Sequence, residues 1–326
     1  MPREISALII CGDRLDEVTR CLESLGKLGD LLHEVLLLKN APKHAWRDNC
    51  FESVPSSVRN RLHIISSETQ VFPTTGRNRL AAQATGSVYL FLDDDSLVLN
   101  RHGIEKGLRI LRSDSTIGSI AYPQSTEAGE LAPFAQPAPV ERECYTCGFM
   151  TCAAMVRADV YHQIGGFQEL LQMAHEENEF CKRQWDAGFA VLYLPERCIC
   201  HNPSPNARNS RQRAMLNTRN IWYQAVLHEP LWLLAMTFVP RLLQGARYLR
   251  LAGDWTGGNW PPLFKQALTD LVNDLPRLWQ ARRPLKLRTI RRWQHLKKHF
   301  PPFRTATSPQ TEDFHQPSSL IEYARC

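Results

Sequence analysis

The sequence predicts an α/β protein built on an open, mostly parallel sheet. Short apolar runs of strand length alternate with helically spaced stretches of about 10 to 12 residues. Glycines close helical stretches at Gly26, Gly86 and Gly188. Three aspartates, Asp93, Asp94 and Asp95, follow directly on one strand, and ligands of such sheets sit beyond the carboxyl ends of strands.

In order, residues 5–11 (ISALIIC) read as the first strand and 15–26 (LDEVTRCLESLG) as a helix. Residues 35–38 and 62–65 are the second and third strands, and 76–85 (GRNRLAAQAT) the next helix. Residues 88–92 form a fourth strand ending in the aspartates; helix 101–112 and strand 117–121 follow. Residues 123–143 are rich in proline and glutamate and lack any period, so they read as a loop. A strand at 148–157, a Gly165-Gly166 turn, a helix at 174–187 and a strand at 191–194 complete the sheet. After turn residues 202–210, the stretch 211–250 is helical and broken at Pro230 and Pro240. A Gly/Trp/Pro spacer at 253–262 precedes a basic helical region at 264–299. The division expected is a catalytic domain at 1–210, a helical, basic extension at 211–300 and a flexible tail at 301–326.

At 43% hydrophobic and 22% charged, the 326 residues can build a substantial core, which excludes a disordered or fibrous chain. No run reaches the ~18–20 apolar residues of a bilayer span, which argues against a channel. The N-terminal text moves straight into a strand, so no secretion leader is expected. Ten cysteines are too sparse for a disulfide scaffold and suit a reducing cytoplasm. Cys144-x-x-Cys147 and Cys198-x-Cys200 invite a zinc reading, but the text around them is strand-like, so these thiols read as buried or incidental. The net charge of +6 hides an asymmetry: residues 1–200 hold 20 Lys/Arg against 26 Asp/Glu, and residues 201–326 hold 19 against 7.

Three adjacent carboxylates beside an apolar sheet repel one another and are poorly solvated. A divalent cation relieves both costs and lets the cluster hold a diphosphate. Oxygen ligands favour Mg²⁺ or Mn²⁺. Strand alternation sends Asp93 and Asp95 one way and Asp94 the other, which places metal and diphosphate contact mainly on Asp95, with Asp93 sharing the metal or nearer the nucleoside. The plainer alternative is a solvated turn in which Asp95 caps a helix. A second acidic group lies at 175–186 (HEENEFCKRQWD). Glu176 and Glu177 suit a helix N-terminus electrostatically, and Glu179 can pair with Arg183. The same pair also offers a general base for an acceptor hydroxyl; the local text leaves both readings open.

Taken together, the segments SALIICGDRLDEVTRCLESL, GRNRLAAQATGSVYLFLDDDS, CGFMTCAAMVRADVYHQIGGFQE, HEENEFCKRQWDAGFAVLYLPERCICH and RNIWYQAVLHEP resemble the inverting nucleotide-sugar glycosyltransferases of the GT-A fold (glycosyltransferase family 2, rhamnosyltransferase-like branch). The resemblance covers residues 5–230, loosens over 231–299 and is absent from the tail. It implies a GT-A fold with a helical C-terminal extension and a nucleoside diphosphate sugar donor. It implies Asp93 and Asp95 as the metal motif with Asp94 between them, and Mg²⁺ or Mn²⁺ as the metal. His201 falls where some members place a histidine near the diphosphate; the alternative is a strand-end turn residue. Arg77 and Asn78 are implied to line the nucleotide, and Arg14 the lip of the donor pocket. Glu177 is implied as the catalytic base with Glu176 as its rival. One departure stands out: where the family has an aspartate reading the base, this chain has Lys39 followed by Asn40. A cation cannot accept a base N–H, so donor choice or activity itself is altered at this point, unless Asp48 substitutes.

Residues 231–243 are apolar on nearly every face, and nine Lys/Arg without an acid occupy 277–298 beside Trp279 and Trp293. Such a combination resembles an interfacial anchor on an anionic membrane and suits a glycan or lipid-linked glycan acceptor, with a peripheral place on the cytoplasmic face of the cell membrane. The alternative is a helix packed on the catalytic domain with solvated charges. No nucleic-acid module accompanies the basic stretch, so nucleic acid is not the expected partner. Two rival functions are a metal-dependent sugar nucleotidyltransferase and a catalytically silent scaffold. The first normally carries a Gly-rich basic loop after the first strand, where this chain reads CGDRLDE; the second is motivated by Lys39.

Overall fold

The structure, a computed structural model, describes residues 4–40, 46, 50–203, 209–253 and 257–303. Its centre is an eight-stranded mixed sheet in the order β3-β2-β1-β4-β8-β6-β9-β7. These strands are β1 (Ile5–Cys11), β2 (Leu32–Lys39), β3 (Leu62–Ser66), β4 (Val88–Asp93), β6 (Ile117–Ala121), β7 (Cys144–Tyr145), β8 (Ala154–Arg157) and β9 (Ala190–Tyr193). β1, β2, β3 and β4 run parallel, as do β6 and β9, while β8 runs antiparallel between β4 and β6. The central β1 and β4 are apolar on both faces because helices cover both, and Ile5, Leu8, Ile9, Leu90 and Phe91 are fully buried. The sheet thus matches the expected α/β architecture, and its strand order turns back at β1, with β2 on one side and β4 on the other. Ligand crevices form beyond the carboxyl ends at such a reversal.

Helices α1 (Leu15–Ser24), α2 (Ser56–Arg59), α3 (Pro73–Ala81), α4 (His102–Ser113), α5 (Ala158–Ile164) and α6 (Glu176–Ala187) flank the sheet. α3 lies so close to β1 and β2 that a Cβ at Gly76 would stand 2.6 Å from Ile10 Cδ1; this close approach seats the neighbouring Arg77. A two-stranded sheet pairs β5 (Ser96–Val98) with β10 (Ile199–His201), antiparallel, with His201 opposite Ser96.

Several boundaries differ from the sequence reading. α1 ends at Ser24, and a 3-10 segment, Leu25–Leu31, carries the chain onward. The run 148–157 is strand only over Ala154–Arg157, because residues 149–153 turn toward the crevice. The 174–187 helix begins at Glu176. The C-terminal region is helical as expected: α7 (Ser210–His228), α8 (Leu231–Leu251), α9 (Pro261–Ala281) and α10 (Leu287–His299). Pro240 does not break α8. It lies on the exposed side of the helix, one turn after the exposed Met236 whose carbonyl it deprives of a partner. The basic region splits into α9 and α10 around Pro284. Residues 301–303 are not loose: the amide of Tyr145 donates to Pro301 O at 2.9 Å, that of Phe303 to Glu143 O at 3.2 Å, and the Phe303 ring meets Tyr145 edge-on. The rest of the expected tail, 304–326, lies outside the described residues.

Candidate active site

Two strand ends and a helix start converge on the crevice. The chain leaves β1 through Arg14, β4 ends at Asp93, and Asp94 and Asp95 form the turn into β5. Arg14 clamps that turn: Nε donates to Asp94 Oδ2 at 3.1 Å, Nη1 to Asp95 Oδ2 at 2.7 Å, and Nη2 to Asp94 Oδ1. Burial pushes Asp94 up to about 7, with Arg14 opposing the shift and Asp95 and Asp93 reinforcing it. Arg77, buried on α3, donates from Nη2 to Asp93 Oδ1 at 3.0 Å and from Nη1 to Glu176 Oε1 at 3.4 Å. One guanidinium therefore spans the two acidic clusters, which are far apart in the chain.

The arginines engage only one oxygen each of Asp93 and Asp95 in this way. The other oxygens face His201 Nε2, Asp95 Oδ1 at 3.3 Å and Asp93 Oδ2 at 4.0 Å. The opposite nitrogen, Nδ1, is 2.6 Å from Gln124 Oε1. The amide of Gln124 donates through Nε2 to Ala135 O, so its oxygen accepts and Nδ1 carries the proton. Nε2 thus faces two carboxylate oxygens and, among the described residues, has no hydrogen-bond partner although it is buried; in the neutral ring it would present its lone pair there. Two anionic oxygens and a nitrogen lone pair converging in this way fit a divalent cation held by Asp93, Asp95 and His201.

The second cluster differs between its two members. Glu176 is 4% exposed, and burial, with Glu177 adding, pushes it up to about 8 despite Arg77. Glu177 is partly exposed and accepts a hydrogen bond from Thr151 Oγ1 at 3.0 Å. The loop before them is strained, because Gln172, Ala174 and His175 all hold positive φ, at 64°, 71° and 65°. α7 holds it in place: Asn220 Nδ2 donates to the carbonyls of Leu171, Met173 and Ala174 at 2.7, 2.8 and 2.8 Å. Arg219 adds contacts to Leu170 O and Leu171 O at 3.2 and 3.3 Å.

Four expected contacts take other roles. Asn78 is spent on the fold: Oδ1 accepts from Tyr161 Oη at 2.6 Å and Phe167 N at 2.9 Å, and Nδ2 donates to Phe167 O. It packs against the Gly165-Gly166 turn, where a Cβ on Gly166 would lie 2.7 Å from Asn78 Oδ1. Asn40 makes paired hydrogen bonds to the backbone of Val71, both at 2.8 Å. Each amide satisfies buried backbone groups. Asp94 is 1% exposed and held by Arg14, so it braces the turn. Lys39 closes β2 with Nζ 5.3 Å from the Trp46 ring centroid, and Asp48 lies outside the described residues. Conversely, Gln124, Thr151, Cys152 and Asn220 belong to the site or its support without having been singled out from the sequence. Gln124 was hidden in a proline-rich run read as loop, yet the adjacent Ser125 pairs with Ile199 and His201. Cys152 offers its sulfur within 4.8 Å of the ligand atoms of Asp93 and His201.

Sheet order, reversal point and flanking helices define a GT-A-type α/β protein. Residues 6–133 match the family model described as Glycosyl transferase family 2, and no curated protein sequence matches the chain. Among solved structures, GalNAc-T7 with UDP, GalNAc and Mn²⁺ aligns with a TM-score of 0.56 at 13% identity, covering 84% of this chain and 57% of that one. S. aureus TarS 1–349 in complex with UDP-GlcNAc aligns at 0.52 and 15% identity, covering 86% and 84%. Mannosyltransferase PcManGT from Pyrobaculum calidifontis in complex with GDP-Man and Mn²⁺ aligns at 0.50 and 14%, covering 83% and 75%. At such identities the likeness establishes the shared glycosyltransferase fold.

Proposed function

We propose that this protein is a metal-dependent inverting glycosyltransferase. It moves a hexosyl or deoxyhexosyl unit from a nucleoside diphosphate sugar to a hydroxyl of a glycan or lipid-linked glycan, in the manner of the rhamnosyltransferase-like branch. The catalytic unit is residues 1–210, and 211–300 form its extension. The observation that carries this reading is Arg77, which bridges Asp93 and Glu176 and so puts both acidic clusters in one crevice.

Each residue has a task. Asp93, Asp95 and His201 hold Mg²⁺ or Mn²⁺, which when bound neutralises the departing diphosphate as a Lewis acid. Arg14 and Arg77 keep these carboxylates aimed and in place. Gln124 fixes the tautomer of His201 so that Nε2 is the ligating nitrogen. Glu177 takes the proton of the acceptor hydroxyl as it attacks the anomeric carbon on the side opposite the leaving group, so one displacement inverts that carbon. Glu177 is preferred to Glu176 because it is reachable from solvent, whereas Glu176 is enclosed with Arg77 and favours its protonated form. Glu177→Gln should lower turnover by about 10²–10⁴ with donor affinity unchanged; turnover near wild type would sink this assignment.

Lys39 supports one competing reading, a scaffold without turnover. A melting screen against uridine, deoxythymidine and guanosine diphosphate sugars with Mn²⁺ separates the two: stabilisation by a donor followed by donor hydrolysis supports transfer, and no response to any of them supports the scaffold. The extension supports a peripheral place on an anionic membrane. No helix among the described residues is long and apolar enough to cross one. α8 nevertheless exposes Trp232, Met236, Val239 and Leu243 on the side opposite its buried Leu233, Thr237 and Gly245. α9 exposes Leu268, Val272, Leu275 and Trp279 at the same 4-3-4 spacing. The basic stretch contributes less than its composition suggests: Trp293 is buried, Arg282 donates to Val226 O and Glu229 O, and Lys286 is bound to Asp186. The membrane reading therefore rests on the outer faces of α8 and α9.

A further inference from the structure

We infer that Cys152 is a further protein ligand at the cation site, so that beside Asp95 the side chains of Asp93, Cys152 and His201 make an N/O/S set that takes a thiophilic divalent ion such as Zn²⁺ or Co²⁺. This inference rests on the reading of Asp93 and His201 as metal ligands in a glycosyltransferase.

The three side chains come from three elements: the end of β4, the turn before β8 and the end of β10. Their donor atoms lie within 4.8 Å of one another. Tetrahedral bonds of about 2.0–2.3 Å to sulfur, nitrogen and oxygen place donors roughly 3.3–3.8 Å apart, so side-chain shifts of about an ångström or less close the set. The supports for such a closure are already in position. Asp93 is turned by Arg77 so that Oδ2 points to His201. His201 is oriented by Gln124 with Nε2 inward and, among the described residues, without a hydrogen-bond partner. Cys152 is 3% exposed, and its backbone is fixed by Ser96 Oγ donating to its carbonyl at 3.1 Å. Ser96 itself pairs across the small sheet with His201, so one register holds two of the three ligands.

The ligand type alters the choice of ion. An all-oxygen motif favours Mg²⁺ or Mn²⁺, whereas a thiolate beside an imidazole shifts preference to Zn²⁺ and Co²⁺. Coordination removes the thiol proton, which passes to solvent, one per ion bound. The other described cysteines stand outside this set of donors.

The test is a Co²⁺ titration of the reduced full-length chain, read by absorption. The expected result is one equivalent of Co²⁺ giving intense visible d–d bands together with a near-ultraviolet thiolate-to-cobalt charge-transfer band, both removed by stoichiometric Zn²⁺. Cys152→Ser should abolish the charge-transfer band and weaken Co²⁺ binding at least about tenfold, the scale on which even supporting groups of a metal site act. His201→Ala, a second variant independent of the cysteine, should abolish the tetrahedral d–d bands. Co²⁺ bound without charge transfer, a charge-transfer band that survives Cys152→Ser, or no Co²⁺ binding at all would overturn the inference. Donor hydrolysis with Mn²⁺ tells its failure from that of the transferase: hydrolysis without a thiolate band leaves the transferase intact, and a thiolate band without hydrolysis supports the centre while removing the transferase.

Discussion

Asn220 offers the sharpest probe of how the two glutamates are delivered. Gln172, Ala174 and His175 hold positive φ in the segment leading to Glu176, at roughly 1–2 kcal/mol each for residues with a side chain. A loop carrying several kcal/mol of strain keeps its shape only where something else holds it. Here the amide of Asn220, fully buried, divides its two N–H groups among three carbonyls, and Arg219 Nε in turn orients Asn220 by donating to Oδ1 at 3.1 Å. Asn220→Ala removes the donors and leaves carbonyls facing a small void. At about 1–3 kcal/mol per buried unsatisfied group, partly offset by relaxation of the strain, the net loss should be about 2–3 kcal/mol. The larger effect is on geometry, since a shift of about 1 Å in a catalytic group can cost ~10²-fold in rate. We therefore expect turnover with saturating donor and acceptor to fall by about 10- to 100-fold, with donor affinity changed less than about threefold. Nucleotide release, urea unfolding and amide hydrogen exchange over residues 171–175 measure the three parts. Turnover within twofold of wild type, alongside faster exchange in that loop, would refute the claim that its shape sets the position of the base.

Two further outcomes follow from other parts of the structure. Glu179 is fully buried; burial alone would raise its pKa, but Arg183 at 2.6 Å and His228 at 2.7 Å outweigh this and hold it down to about 2. A carboxylate lowered on folding lends stability that is complete above its unfolded value near 4.5 and lost as pH falls from there toward 2. Relative to Glu179→Gln, wild type should thus lose about 3 kcal/mol of its advantage across that window; urea curves that stay parallel from pH 6 to pH 3 would contradict this. On the membrane side, Trp232→Ser with Met236→Ser should weaken binding to phosphatidylserine-containing vesicles by about tenfold or more, given ~1.5–3 kcal/mol per large apolar side chain buried. Equal sedimentation of variant and wild type with such vesicles would remove α8 from the interface.

The parts of the fold that could be read in the sequence are those whose burial imposes a pattern. β1 and β4 are covered on both faces, so their text is a continuous apolar run, and α6 ends at Gly188, whose φ of 100° suits a residue without a side chain. Elements too short to show a period were missed. β5 and β10 have three residues each, yet their pairing sets His201 beside the aspartates. The backbone bonds of Asn40 and Asn78 were not legible for a related reason: an asparagine next to a binding loop and one that staples backbone read alike until the carbonyls and amides around it are placed. Cys152 lay in an apolar run that reads as core, and only the turn at 149–153 brings its sulfur to the crevice. Pro240 shows the reverse error, since a rule about prolines ending helices did not hold on the exposed face of α8.

The short stretch 301–303 closes the open edge of the large sheet. β7 is the outermost strand of the large sheet and only Cys144–Tyr145 long; Pro301 and Phe303 occupy its open hydrogen-bonding side, with Pro302 bridged to Cys144. Unpaired strand margins recruit foreign strands, and proline in the covering segment cannot extend the ladder outward. A version of the protein shortened to end before Pro301 would therefore bare a sticky rim on the catalytic half, far in sequence from the cut, whereas one that ends after Phe303 keeps it sealed.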